Sequence, residues 1–159
     1  MNMKTIMRAF LEEADRAHWM STLSRCDPSR LEAAWAGLHQ QPGHSWLRPP
    51  EIGLVMLRGR AGGTGQPFNL GEMTMTRAVV LIEEGGPITG FGYVAGRAPR
   101  HAELAALFDA LLQDESRRTG LLSELIAPLA AEARRAKESR AKDVAATRVD
   151  FTTMVRGND

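Results

Sequence analysis

The sequence predicts an α+β fold: a small, mainly antiparallel sheet with N-terminal and C-terminal helices packed on it and a late C-terminal strand. Three observations support this prediction. Apolar residues recur every three or four positions toward both ends of the chain, as on one face of a helix. Apolar, β-branched runs joined by glycine-rich turns fill the middle, as in antiparallel strands. Strict alternation of apolar and polar residues returns near the C-terminus.

The chain has 159 residues, the size of one domain with a core of its own. We expect a single domain, with a helical N-terminal segment at 4–39, a sheet core at 52–96, helices at 99–145 and a C-terminal strand at 147–155. Hydrophobic residues make up 43% of the chain and charged residues 25%, which indicates a folded globular protein rather than a disordered one.

Charge and cysteine content narrow the function classes. With 20 basic and 19 acidic residues, the net charge of +1 gives no long-range attraction to nucleic acid or membrane, so any anion site must be local. Cys26 is the single cysteine, and it lies at a helix boundary with no local histidine, so a structural thiol is expected rather than a nucleophile. The absence of a signal peptide and of a long apolar run predicts a cytoplasmic protein.

The N-terminal segment predicts two helices. Residues 4–24 carry an apolar stripe at helical spacing, and Trp19 lies off the main stripe, so it either widens the buried face or docks on a partner. Asp27 followed by Pro28 is a typical helix start, with a capping carboxylate and proline at the first helical position. The second helix is predicted to run to about His39.

The middle of the chain predicts the sheet. Residues 40–50 form a loop or a short edge strand, because three prolines there cannot donate ladder hydrogen bonds. Ile52–Gly59 is apolar on both faces, which predicts a buried strand. Glu72–Glu83 and Ile88–Ala95 are expected to pair antiparallel across the turn at 84–87. Glycines in the returning strand indicate bulges or a close backbone neighbour.

The C-terminal third predicts helices and then a strand. Pro99 opens a helix that ends near Gln113, residues 116–120 are expected to break it, and Pro128 to kink or restart the next helix. Residues 130–145 are alanine-rich and charged, which indicates a solvated helix or one that binds a partner. Residues 147–155 alternate, so we expect a strand that adds to an edge of the sheet or to another chain.

A glycine-rich connection in the sheet region is a candidate anion site. Exposed backbone N–H groups and arginine guanidinium groups together can hold a phosphate. The alternative is a tight loop whose glycines adopt positive φ, and the lysine of a P-loop is absent. His101, in the first turn of a helix, is either a neutral acid/base or a packing residue. The candidate residues are Arg60, Gly62, Gly63, Thr64, Gly65, Arg77, Arg97 and His101.

No catalytic or metal-binding set is apparent in the sequence. The histidines have no metal-ligand spacing, and neither a nucleophile elbow nor paired carboxylates are present, so we expect no metal site. The basic stretch 134–142 has interleaved acidic residues and no aromatic residues, which favours a solvated face over a nucleic-acid site. The residues alone therefore leave a small domain with an anion-binding loop, or an assembly subunit, as open alternatives.

Six short segments stand in a specific order between about residue 16 and residue 158. They are His18-Trp19-Met20-Ser21, Arg60-x-Gly62-Gly63-Thr64-Gly65-x-x-Phe68, Thr76-Arg77-Ala78, Gly96-Arg97 with His101-Ala102-Glu103, Leu125-Ile126-Ala127-Pro128-Leu129, and Arg148-Val149-Asp150-Phe151-Thr152-Thr153-Met154-Val155-Arg156-Gly157. Taken together, they resemble the G subunit family of the bacterial carbon–phosphorus lyase system, PhnG.

The resemblance implies a role in phosphonate catabolism. In that family the G subunit acts with subunits H, I and L, which convert MgATP and an alkylphosphonate into a ribose 1-phosphonate 5-triphosphate and release adenine. Subunits G, H, I and J form a two-fold symmetric core, in which J carries the iron–sulfur cluster and I is associated with nucleosidase-like chemistry. The resemblance therefore implies a required, non-catalytic subunit that binds no cofactor alone.

Partner contacts are expected at the C-terminal helix and tail, which we predict to bury against the large I subunit. The residues assigned to that interface are Trp19, Val149, Phe151, Met154 and Arg156. Two other functions stay open: an autonomous small enzyme or binding module for a phosphorylated ligand at residues 60–77, and an adaptor for nucleic acid or protein.

Overall fold

The computed structural model describes residues 15–147. A first helix, α1, covers 15–23 of these residues. The elements that follow are α2 (Pro28–Ala36), β1 (His44–Arg60), a 3-10 turn (Ala61–Gly63), β2 (Pro67–Ile82), β3 (Ile88–Ala95), α3 (Pro99–Gln113), α4 (Glu115–Leu121), a π-helical turn (Leu122–Ile126) and α5 (Ala127–Ala146). The three strands form one antiparallel sheet in the order β1-β2-β3, so the predicted α+β class is confirmed.

Two of the predictions fall outside the described residues. The first helix was expected from residue 4, and the structure describes it from residue 15. The predicted strand at 147–155 lies outside them except for Thr147, which caps α5. Four of the predicted interface residues lie there as well: Val149, Phe151, Met154 and Arg156.

Helix α3 lies directly on the sheet, and two glycines of β3 make this possible. A Cβ atom on Gly90 would lie 2.0 Å from the carbonyl oxygen of Ala106, and one on Gly92 would lie 2.0 Å from that of Ala102. Real Cβ atoms do not approach an oxygen so closely, so only glycine fits at both positions. The predicted close backbone neighbour of β3 is therefore confirmed, and it is α3.

The core fills the space between this face of the sheet and the helices. On β2, the side chains that alternate toward α3 are buried, at Ala78, Val80 and Ile82. Helices α1 and α2 add a further layer, in which the Trp35 ring meets the Phe108 ring edge-on with centroids 6.0 Å apart. Almost the whole of α3 is buried, which explains why its apolar residues are not confined to one stripe.

Local signals placed several boundaries correctly. Asp27 caps α2 by accepting a hydrogen bond from the backbone N–H of Ser29, and Pro28 is the first helical residue. The helix ends at Ala36, slightly before the predicted His39. The predicted turn lies in the five-residue loop between β2 and β3, where the Gly86 N–H donates to the Glu83 carbonyl. Gly85 and Gly86 both have positive φ there, a conformation that glycine adopts readily.

The predicted helix break at residues 116–120 is wrong. Only Asp114, between α3 and α4, leaves helical geometry. Its carboxylate accepts hydrogen bonds from the backbone N–H and the hydroxyl of Ser116, and this cap begins α4 at the next residue, Glu115. Helices α4 and α5 then continue through the π-helical turn, in which the Ala127 N–H donates to the Leu122 carbonyl. Pro128 follows immediately and has no N–H to donate, which explains the local change of hydrogen-bond pattern.

Strand β1 departs most from expectation. It spans 17 residues and includes Pro49 and Pro50, which are tolerated because β1 is an edge strand with irregular register near Arg48 and Glu51. The prediction of a buried strand at Ile52–Gly59 is wrong, because most of this segment is exposed. Apolar residues on both faces predicted burial inside this chain, yet no other described element covers either face there.

Candidate functional site

Residues 52–75 form an arm that is two-stranded beyond the Gly53–Met75 pair and there extends past the rest of the sheet. Strand β3 pairs with β2 only between Met75 and Ile82, whereas the β1–β2 ladder continues from Gly53 opposite Met75 to Arg60 opposite Pro67. At about 3.3 Å per residue, the arm reaches roughly 25 Å past the end of β3. The three-residue helical turn and the glycine-rich loop close its tip.

Nearer the core, α3 covers one face of the sheet, and the same face continues along the arm. Ile52 lies opposite Thr76, which is fully buried on the α3 side, and every second residue of β1 shares this face. Its large side chains are exposed: 44% for Ile52, 64% for Leu54 and 50% for Met56. We call these three residues the helix-side patch.

The opposite face is also apolar and exposed. Leu57 is 38% exposed, Phe68 46% and Leu70 65%. A Cβ on Gly59 would lie 3.8 Å from the Phe68 ring and 4.0 Å from Leu70, which places these two side chains together on the face that Gly59 and Leu57 share. We call Leu57, Phe68 and Leu70 the outer patch.

The glycine-rich loop forms the tip of the arm. Gly62 and Gly63 have φ of 60° and 79°, so the prediction of glycines in positive φ is confirmed. The Arg60 guanidinium folds back and donates to the Gly65 carbonyl at 3.2 Å, so it braces the loop that was expected to bind an anion. Arg58 and Arg60 are the only charged residues between positions 52 and 71, so the tip is basic.

The other residues of the predicted anion site lie elsewhere. Hydrogen bonds from Arg48 and from Arg77 to the carboxylate of Glu51 hold the pKa of that group below its usual range. Glu51 and Arg60 are nine residues apart on one strand, which is roughly 30 Å. Arg97 is exposed at the end of β3, beyond the positive-φ residue Gly96. The structure therefore does not bring these arginines to one site.

His101 is a packing residue. The residue is only 6% exposed, and its Nε2 atom donates a hydrogen bond to the Leu23 carbonyl at 2.7 Å. This bond ties α3 to the end of α1. The assignment of His101 to an anion site is wrong, because the ring is directed into the core and satisfied there. The packing alternative is the one that the structure supports.

Trp19 also lies in the core, at 3% exposure, so its assignment to a partner interface is wrong. Its indole N–H donates to the carboxylate of Asp109 at 2.9 Å. Asp109 is fully buried and also accepts from Arg16, from the Phe91 backbone N–H and from Gln113. Sequence reasoning missed this centre, although a carboxylate inside the otherwise apolar run 104–112 is a signal for it.

The described residues offer no sign of a reactive centre. They contain no group of three or more His, Cys, Asp or Glu side chains able to hold a metal ion. Burial raises the pKa of the Cys26 thiol to about 11, which keeps it protonated and unreactive near neutral pH. A depression of about 370 Å³ lies between α1 and β3, and its one charged residue, Arg16, is already paired with Asp109.

No helix among residues 15–147 combines the length and apolar character needed to cross a membrane.

Comparison with known proteins gives one consistent result. A family model described as phosphonate metabolism protein PhnG matches residues 14–157. A protein of Rhizobium meliloti (strain 1021), named alpha-D-ribose 1-methylphosphonate 5-triphosphate synthase subunit PhnG, is 44% identical over 149 residues, which cover 92% of each chain. The sequence resemblance is thus confirmed, and the chain belongs to the PhnG family of phosphonate metabolism proteins.

Proposed function

We propose that this protein is a required, non-catalytic subunit of the carbon–phosphorus lyase core complex. In the proposed reaction, a phosphonate oxygen of an alkylphosphonate replaces adenine at C1′ of MgATP. The products are adenine and a ribose 1-phosphonate 5-triphosphate. Family membership and the printed name of the Rhizobium meliloti relative, a synthase subunit, support this reaction.

The main structural support for a subunit role is the exposed apolar surface of the arm. Its six large apolar side chains are between 38% and 65% exposed. Monomeric proteins rarely leave so much contiguous apolar surface in water, and such patches mark protein interfaces. The alternative, an autonomous site for a phosphorylated ligand at residues 60–77, loses support because Arg60 and Arg77 lie far apart and each is bonded within the chain.

The proposed partners are subunits H, I, J and L, with I bound most directly, and the proposed location is the cytoplasm. The complex uses MgATP, whereas this chain alone holds no cofactor and has neither nucleic acid nor membrane as a partner. Helix α5 supports a docking role, because Leu129 is its only buried residue and Val144 is 64% exposed. We propose that α5 and the segment after it bind subunit I.

Co-expression with subunits H, I and J tests this proposal. The intact chain should elute with them as one species whose mass, measured by light scattering, exceeds that of the complex formed without it. Removal of residues 147–159 should leave a folded chain that no longer joins the complex. An intact chain that stays separate from all three subunits would contradict the proposed function, and a truncated chain that still assembles would contradict only the tail contact.

A further inference from the structure

We infer that the arm inserts into an apolar cleft of a partner subunit. The walls of the cleft contact both faces of the arm, and carboxylates in the cleft face the basic tip of the arm. This inference rests on the proposed function, since it assumes that the chain works in an assembly. It goes further by naming the element that docks and the chemistry of the surface that receives it.

Both faces of the arm require cover. The helix-side patch contains Leu54 at 64% exposure, and the outer patch contains Leu70 at 65%. Burial of one face against a flat surface would leave the other in water, with an apolar patch that soluble proteins normally avoid. A cleft with two apolar walls covers both patches at once.

The edges of the arm are open as well. Among residues 15–147, strand β2 beyond Met75 has no neighbour on the side that β3 occupies nearer the core, and the outer edge of β1 has no partner strand. Isolated proteins protect such edges with proline, lysine or inward-pointing charges. On the β1 edge, residues 52–57 contain none of these, although Pro49 and Pro50 precede them, whereas the β2 edge contains Pro67 and Glu72. The unprotected stretch of β1 indicates that a partner covers that edge.

Charge favours a different protein over a second copy of this chain. The tip carries Arg58 and Arg60, and Glu72, opposite Met56, is the one acidic residue of the arm. The base carries Arg48 and Arg77 around the single carboxylate of Glu51. Two arms packed in parallel would place the two basic tips together, and two packed antiparallel would place a basic tip against a base of net charge +1. A partner cleft with carboxylates at its closed end complements the arm in a way that a second arm does not.

Two charge substitutions, one on each face, test the inference in the complex with subunits H, I and J. Leu54→Glu alters the helix-side patch and Phe68→Glu the outer patch, and both side chains are exposed enough for the isolated chain to keep its fold. Leu47→Glu is the matched control, because Leu47 is 57% exposed on the same strand but lies outside the arm. Melting curves of the isolated variants verify folding.

We expect each arm variant to reduce the amount of chain recovered with its partners at least about tenfold, as loss of an interface anchor does, while Leu47→Glu assembles like wild type. Arg58→Glu with Arg60→Glu should weaken assembly more at low than at high salt. A photo-crosslinking residue in place of Leu54 or Phe68, in an otherwise unchanged chain, should attach to a partner subunit.

Three results would overturn the inference. In the first, both arm variants assemble like wild type. In the second, only one face matters, which would mean a flat contact. In the third, the isolated chain dimerises, and the arm variants abolish the dimer but leave binding to the partners intact. Failure of the wild-type chain to assemble is a different result, because it removes the proposed function itself.

Discussion

Gly90 of β3 lies against Ala106 of α3 so closely that a Cβ atom on Gly90 would be 2.0 Å from the Ala106 carbonyl oxygen. Gly92 and Ala102 repeat the relationship one helical turn away. The backbones of strand and helix are therefore in direct contact, and α3 is seated on the short strand β3. Because β3 ends at Ala95, the helix does not extend over the arm.

Substitution of Gly90 or Gly92 by alanine should destabilise the whole protein. The added methyl group has no space, so helix and strand must separate, and we expect a loss of about 1–3 kcal/mol in the free energy of unfolding. Urea denaturation followed by tryptophan fluorescence measures it. Gly53→Ala is the control, since a Cβ there meets nothing within 4 Å. Equal stability of Gly90→Ala and Gly53→Ala would refute the close contact.

Replacement of Asp109 by asparagine should also be costly. The carboxylate is fully buried and accepts a charged hydrogen bond from Arg16 at 2.8 Å, so its neutralisation should lower stability by about 2–4 kcal/mol. Trp19→Phe removes a hydrogen bond to the same carboxylate and part of a buried side chain, and should cost about 1.5–3 kcal/mol. If Asp109→Asn unfolds at the wild-type denaturant concentration, the ion pair contributes nothing.

The tip of the arm should tolerate asparagine but not valine at position 63. Gly63 has φ of 79° in open space, so the penalty is conformational, about 1–3 kcal/mol for a β-branched residue. Amide hydrogen exchange at residues 58–69 should speed up by roughly tenfold or more in Gly63→Val. Asparagine adopts this conformation readily, and Gly63→Asn should exchange nearly like wild type. Unchanged exchange in Gly63→Val would show that position 63 does not require positive φ.

Two capping carboxylates should contribute to acid sensitivity. Hydrogen bonds from Ser29 lower the pKa of Asp27, and hydrogen bonds from Ser116 lower the pKa of Asp114, both from an ordinary value of 3.8. Because the folded-state pKa lies below the unfolded-state value, each contribution is present above the unfolded pKa and is lost as pH falls through the folded one.

The combined variant Asp27→Asn and Asp114→Asn keeps both caps without a titrating group. Its stability should therefore fall less than that of wild type when the pH is lowered from about 5 to about 2, as measured by thermal melting at each pH. An equal loss of thermal stability in the two proteins over this pH range would show that these caps do not contribute to acid sensitivity.

Cys26 should react slowly in the folded protein. Burial raises its pKa from 9.0 to about 11, which lowers the thiolate fraction near pH 8 roughly 100-fold. Alkylation by iodoacetamide, followed by mass spectrometry, should be slower by about that factor in buffer than in denaturant. Similar rates in both solvents would contradict the burial of the thiol. The Cys26→Ser variant, which has no thiol, measures the background of alkylation at other residues.

The sequence predicted the elements whose signals are local. The Asp27-Pro28 cap, the turn at Gly85 and Gly86, the span of β3 and the start of α3 all rest on the chemistry of a few neighbouring residues, and all agree with the structure. Ordered motifs also gave the family correctly.

The errors about burial have one physical origin, which is that apolar character does not specify what will cover a residue. Ile52–Gly59 has the composition of a buried strand, and the described chain leaves it open. Trp19 lay off the helical stripe and was assigned to a partner, whereas Asp109, 90 residues away, holds it in the core. The arginines were grouped by proximity in sequence, although a long hairpin separates its tip from its base.

Adenine release is the measurement that tests the proposed function most directly. Subunits H, I and L would be incubated with MgATP and methylphosphonate, without this chain and again after its addition, with the chain alone as control. The proposed function predicts adenine only in the complete mixture and none from the chain alone. Full activity without the chain, or turnover by the isolated chain, would contradict a required, non-catalytic subunit.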